Sequence, residues 1–121
     1  MSSSSILGVI PMFGWLKKKA AQQSLYNVEI NTRTLIVVSN RADEAISKTG
    51  KPNPACTTEV AAAQKSLLTD IELALANSAS FEDVQSRIEV AKSKEALTRG
   101  AEMAIEHVCN HVTITSPLRD S

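Results

Sequence analysis

Aromatic side chains are scarce in this chain: 121 residues include one tryptophan, one tyrosine and two phenylalanines. That removes the stacking platforms a single-stranded nucleic-acid binder uses, and no broad basic surface replaces them, so nucleic acid is an unlikely partner. Cysteine is nearly as rare. Cys56 and Cys109 are too few for a disulfide framework, and no N-x-[ST] sequon occurs, so a reducing, cytoplasmic compartment is expected. No apolar run approaches the roughly 18 residues that a membrane-spanning helix needs. Glycine and proline number four each and they cluster. Gly8, Pro11 and Gly14 lie near the start, Gly50, Pro52 and Pro54 form the loop "TGKPNP", and only Gly100 and Pro117 follow.

Two long stretches, 15–49 and 55–99, are therefore free of breakers. Their apolar residues are mostly Ala, Val, Leu and Ile, the material of helices packed face to face. From Cys56 to about Asn77, Val60, Ala63, Leu67, Leu68, Ile71, Ala74 and Leu75 recur at three- and four-residue spacing, one stripe of a helix. "NSAS" ends that stripe. Ser80 can then cap a new helix, with Glu82 and Asp83 in its first turn complementing the helix dipole. Phe81, Val84, Ile88 and Ala91 give the next stripe, which resumes out of phase as Leu97, Ala101, Ile105, Val108 and Val112. A kink or local break is expected near Gly100.

The segment "VEINTRTLIVVS" supports two readings. Val28, Ile30, Thr32, Thr34, Ile36 and Val38 alternate as in a β-strand. Val28, Leu35, Val38, Ala42, Ala45 and Ile46 also share one side of a helix. A strand at about 27–38 would need a partner, and only "HVTIT" near the C-terminus offers one, so the helix is preferred. The expected fold is mainly α, an up-down-up three-helix bundle with long first and third helices, and an α+β fold is the alternative. The end of the third helix, beyond about residue 103, should overhang toward the "TGKPNP" loop. The expected organisation is a flexible N-terminal segment at 1–14, a single helical domain at 15–113 and a flexible C-terminal tail at 114–121.

The chain carries 13 bases and 13 acids, unevenly spread. Up to Lys51 the bases Lys17, Lys18, Lys19, Arg33, Arg41, Lys48 and Lys51 outweigh Glu29, Asp43 and Glu44, and the remainder is acidic. Two halves that complement each other within one fold explain this.

Few residues suggest chemistry. His107 and His111 are four apart, so on a helix they point the same way, as paired zinc ligands do. Cys109 lies well round the helix from both, and a third ligand would have to come from the loop, another chain or Cys56. Two solvated histidines near a helix C-terminus are the simpler reading. "SKTGKPNP" lacks the first glycine of a phosphate loop and has Pro52 where Ser or Thr belongs; Gly50 reads instead as a helix stop. With no catalytic motif in view, no enzyme activity and no cofactor is expected.

"ILGVIPMFGWLKKK", residues 6–19, is the other unusual feature. Its charge follows the apolar run instead of preceding it, Pro11 interrupts the run, and no small-residue cleavage site appears, which argues against a secretory signal. Met12 as the working start would leave "MFGWLKKK" as a short tip. Alternatively the segment lies in a membrane interface, where Trp and Lys are comfortable. A third reading has Trp15 and Leu16 covering the bundle's end near Phe81. The candidate interaction residues are Phe13, Trp15, Lys17, Lys18 and Lys19.

The functional expectation is a small non-enzymatic helical protein acting through protein–protein contact, as adaptor, inhibitor or assembly subunit. Its alanine-rich stripes also suit a homodimer. The alternatives are a metal-binding protein using His107 and His111, and a membrane-peripheral accessory protein held by the N-terminal apolar and lysine segment.

Overall fold

The computed structural model describes the backbone of residues 2–115 and the side chains of 15–112 except that of Lys17. It is mainly helical, with no strand among the described residues. The helices are α1 (Ser2–Thr49), α2 (Pro54–Ala76), α3 (Phe81–Lys94) and α4 (Arg99–Thr115). The flexible segments expected at 1–14 and 114–121 fall wholly on residues whose side chains lie outside this description.

Residues 27–38 are helical, within α1, which removes the strand alternative. Helix α1 ends as its sequence suggests: Gly50 takes the left-handed conformation (φ 74°), and its N–H donates to the Ile46 carbonyl at 2.7 Å. Helix α2 starts two residues earlier than its apolar stripe, because the Asn53 side chain accepts from the N–H groups of Ala55 and Cys56 and Pro54 fills the first helical position. It ends with Ser78 in the left-handed position usually given to glycine (φ 74°), and the Ala79 N–H donates to the Ala74 carbonyl at 3.0 Å. Ser80 caps α3 as expected and does so reciprocally. Its hydroxyl accepts from the Asp83 N–H at 3.0 Å, while the Asp83 carboxylate accepts from the Ser80 N–H at 3.1 Å.

The expected three-helix bundle requires correction. Its third helix is two, α3 and α4, separated at residues 95–98, and Gly100 sits inside the first turn of α4. Glu95 is extended (φ −128°, ψ 152°), and the linker is then held by α1. Asn40 donates to the Ala96 carbonyl at 2.7 Å and accepts from the Thr98 hydroxyl at 2.8 Å. The Thr98 hydroxyl in turn accepts from the Ala101 N–H at 3.2 Å, which caps α4. Tertiary bonds to α1 thus offset the helical bonds lost at the break.

The expected overhang does not form either. Helices α1 and α2 are antiparallel, with Arg41 against Glu59 and, further on, Asn31 against Asp70. Helix α3 runs in the direction of α1, placing Arg87, Lys94 and Glu95 beside Glu29 and Arg33. Helix α4 then turns back. Gln64 of α2 donates to the Ala104 carbonyl at 3.1 Å, and Cys109 comes within electrostatic reach of Lys92 and Glu89 on α3. The reversal puts Ala101, Ile105, Val108 and Val112 into the core instead of beyond it.

That core joins Val28, Leu35, Ile36 and Val38 of α1 with Leu67, Ile71, Ala74 and Leu75 of α2 and Val84 and Ile88 of α3. The stripes read from the sequence for α2, α3 and α4 supply the buried residues, with Val60, Leu68, Phe81 and Leu97 partly buried against them. In α1 the stripe holds as far as Val38; Ala42 and Ala45 are half-buried and Ile46 is exposed.

Ion pairs cross the two halves in both senses. Arg33 meets Glu95 at 2.9 Å, whereas Glu29 accepts from Lys94 at 3.0 Å and from Arg87 at 3.3 Å. Glu29 is buried, and the Lys94 ammonium hydrogen-bonded to it holds its carboxyl below the ordinary value against the opposing effect of burial, with Arg87 adding to Lys94. A lowered carboxyl pKa stabilises the fold fully above the unfolded value near 4, and the stabilisation is lost as pH falls through the lowered one. Glu29→Gln should therefore cost a little under about 1 kcal/mol at pH 7, since both cations are partly exposed. Urea titrations of both proteins should converge as the pH falls through the lowered value of Glu29.

Candidate functional site

The alternating residues that imitate a strand have a second consequence once they are helical. Alternation puts apolar groups on both sides of α1. Val28, Thr32, Ile36 and Val38 are buried, and Ile30 and Thr34 face out. Tyr26 (53% exposed), Ile30 (41%) and Val37 (36%) then line up on the face of α1 opposite the core. Ile30, Thr34 and Val37 line an open cleft together with Arg33, Val38, Arg41 and Glu95. Arg33 is tied to Glu95, and Arg41 to Glu59 at 3.4 Å, so the charges at the edge of this apolar strip are internally balanced. Sequence reasoning identified the inward side of this helix and missed the outward one. The signal was the alternation itself, which a helix with one apolar face does not show.

The second feature is the first part of α1. Among the described side chains Ala21 is the first buried one, and every one from Trp15 to Ala20 is exposed. Trp15 is 58% and Leu16 48% exposed, which overturns the reading of this pair as a cover for the bundle's end. The Lys19 ammonium sits 5.0 Å from the centroid of the Trp15 ring, a cation–π pair on the helix surface. Lys18 is exposed as well. The side chains of Phe13 and Lys17, and the question of Met12 as a start, lie outside the described residues.

His107 and His111 are exposed on α4, one turn apart. Cys109 between them is half-buried toward α3, where burial raises its thiol above the ordinary value; Lys92 opposes that rise and Glu89 and Glu106 add to it. Cys56, half-buried in the first turn of α2, is likewise a free thiol. Among the described residues no group of three or more His, Cys, Asp or Glu side chains could hold a metal ion. Nor is any helix among them long and apolar enough to cross a membrane.

No protein-family model, curated protein or solved structure matches the chain.

Proposed function

We propose that the chain is a small non-enzymatic helical protein that acts by protein–protein contact, as adaptor, inhibitor or assembly subunit, with the outward face of α1 as its contact surface. The observation that carries this reading is the line of Tyr26, Ile30 and Val37, exposed on a helix whose other side forms the core. Each is large and apolar, and they share one rigid element, so they can meet a partner helix without reorganisation. The self-neutralised edge of Arg33, Arg41, Glu59 and Glu95 suits a polar rim around an apolar strip. Two free thiols suit a reducing compartment such as the cytoplasm.

The test is a triple substitution, Tyr26→Ala, Ile30→Ala and Val37→Ala. Its melting temperature should stay near that of the wild type, because these side chains lose little burial. Partners captured by the wild-type protein from its host, or a dimer seen by analytical ultracentrifugation, should be lost. Capture and oligomeric state identical to wild type would rule out this face.

A further inference from the structure

Helix α1 continues well past the core it helps to build. From Ser2 to Ala20 it adds about 28 Å at 1.5 Å per residue. Within that arm, residues 6–16 read "ILGVIPMFGWL", with no charged side chain and no polar group except the Trp15 indole N–H. Lys17, Lys18 and Lys19 follow directly, and no acidic residue precedes Glu29. A helix that docks into a protein groove needs an apolar stripe, as the core side of α1 shows. A segment apolar on all sides is satisfied only by an apolar medium around it. Its length fixes how deep it can go. Eleven residues rise about 16 Å, half of a hydrocarbon core about 30 Å thick, so the segment can enter one leaflet and cannot span two. Proline at position 11 has no amide hydrogen to give the carbonyl four residues earlier, and that unpaired carbonyl also favours shallow placement.

We infer that this arm inserts into one leaflet of an anionic bilayer, with Trp15 at the boundary and the three lysines at the level of the lipid phosphates. The exposed Trp15 and Leu16 and the Lys19 ammonium beside the indole place both requirements on one turn of helix. Apolar insertion alone gives marginal, reversible binding, and a polybasic patch is the second signal that makes it stable. The arm and the outward face at Tyr26, Ile30 and Val37 are separate parts of α1, so this inference and the proposed contact surface fail or stand independently.

Trp15 is the chain's single tryptophan and so reports on the arm alone. The full chain is mixed at low salt with vesicles of equal parts phosphatidylcholine and phosphatidylglycerol. The expected result is a blue shift of tryptophan emission and co-sedimentation, both much weaker with pure phosphatidylcholine or at high salt. Lys17→Gln, Lys18→Gln and Lys19→Gln together should weaken binding on the order of 100-fold, roughly fivefold per lysine. Trp15→Ala with Leu16→Ala should also reduce co-sedimentation. Both variants should stay near the wild-type melting temperature, since Trp15, Leu16, Lys18 and Lys19 are exposed and outside the core. Unshifted emission with the anionic vesicles overturns the inference. So does co-sedimentation that survives both variants, which would place the lipid contact elsewhere. A blue shift that grows with protein concentration in the absence of lipid, and is unchanged by vesicles, overturns it in favour of self-association through the arm.

Discussion

Leu35→Ala should cost about 3 kcal/mol of folding stability, a large part of the 5 to 15 kcal/mol typical of a small domain. Leu35 has no exposed surface, and neither have its neighbours Val28, Thr32 and Ile36. Helix α1 packs against α2, α3 and α4 alike, so a cavity there cannot be closed by shifting one helix without opening a gap against another. The expected signature in urea is a lower midpoint with an unchanged slope. Ile30→Ala on the same helix should cost under about 0.5 kcal/mol, because Ile30 stands on the outer face. The contrast separates the helix from the rejected strand. A strand puts alternate residues on the same side, so Ile30 would be buried with Val28 and Thr32, and Leu35 would face away from them. Equal costs at the two positions would contradict the structure.

The helical faces were legible because burial in a bundle needs only a repeat of three and four, and α2, α3 and α4 each carry one. The cap at Ser80 and the stop at Gly50 were legible because both act within a few residues. What escaped is what depends on residues far apart in sequence. Glu95, Ala96 and Leu97 are acceptable helix formers, so nothing local ends α3 there. The break shows in sequence as a phase shift between Ala91 and Ala101, as Gly100 and as the Thr98 cap, but its place at 95–98 is set by Asn40 and Asp43, more than fifty residues away on α1. The missed reversal then sent α4 outward in the sequence reading. The same limit applies to the candidate surfaces. Trp15 and Leu16 stood out by composition, but whether they met Phe81 or solvent depended on where the bundle ended. Ile30 looked like part of a strand until the opposite side of the helix was known to be the core, and Tyr26 and Val37 carried no signal of their own.

Gly100→Ala tests that long-range latch and should reverse sign with its surroundings. In an open helix the change would stabilise by about 1 kcal/mol, since alanine is the better helix former. Here a Cβ on residue 100 would collide with the Asp43 carboxylate oxygens. The carboxylate must swing away and give up its bond from the Gly100 N–H, now 3.1 Å long. That bond joins an anion to the first turn of α4, where the helix dipole favours it, and a hydrogen bond to a charged group contributes about 1.5 to 3 kcal/mol. The loss exceeds the propensity gain, so Gly100→Ala should destabilise by about 0.5 to 2 kcal/mol. Asp43→Ala removes the same bond and also empties the space a methyl group would need. In that background Gly100→Ala should become neutral or stabilising. Thermal denaturation of the four proteins of this cycle gives the coupling between the two sites directly. Additive effects would mean that Asp43 does not hold the start of α4. A sign change would show that glycine is needed here for closeness to α1, and that the break in the long third helix is fixed from across the bundle.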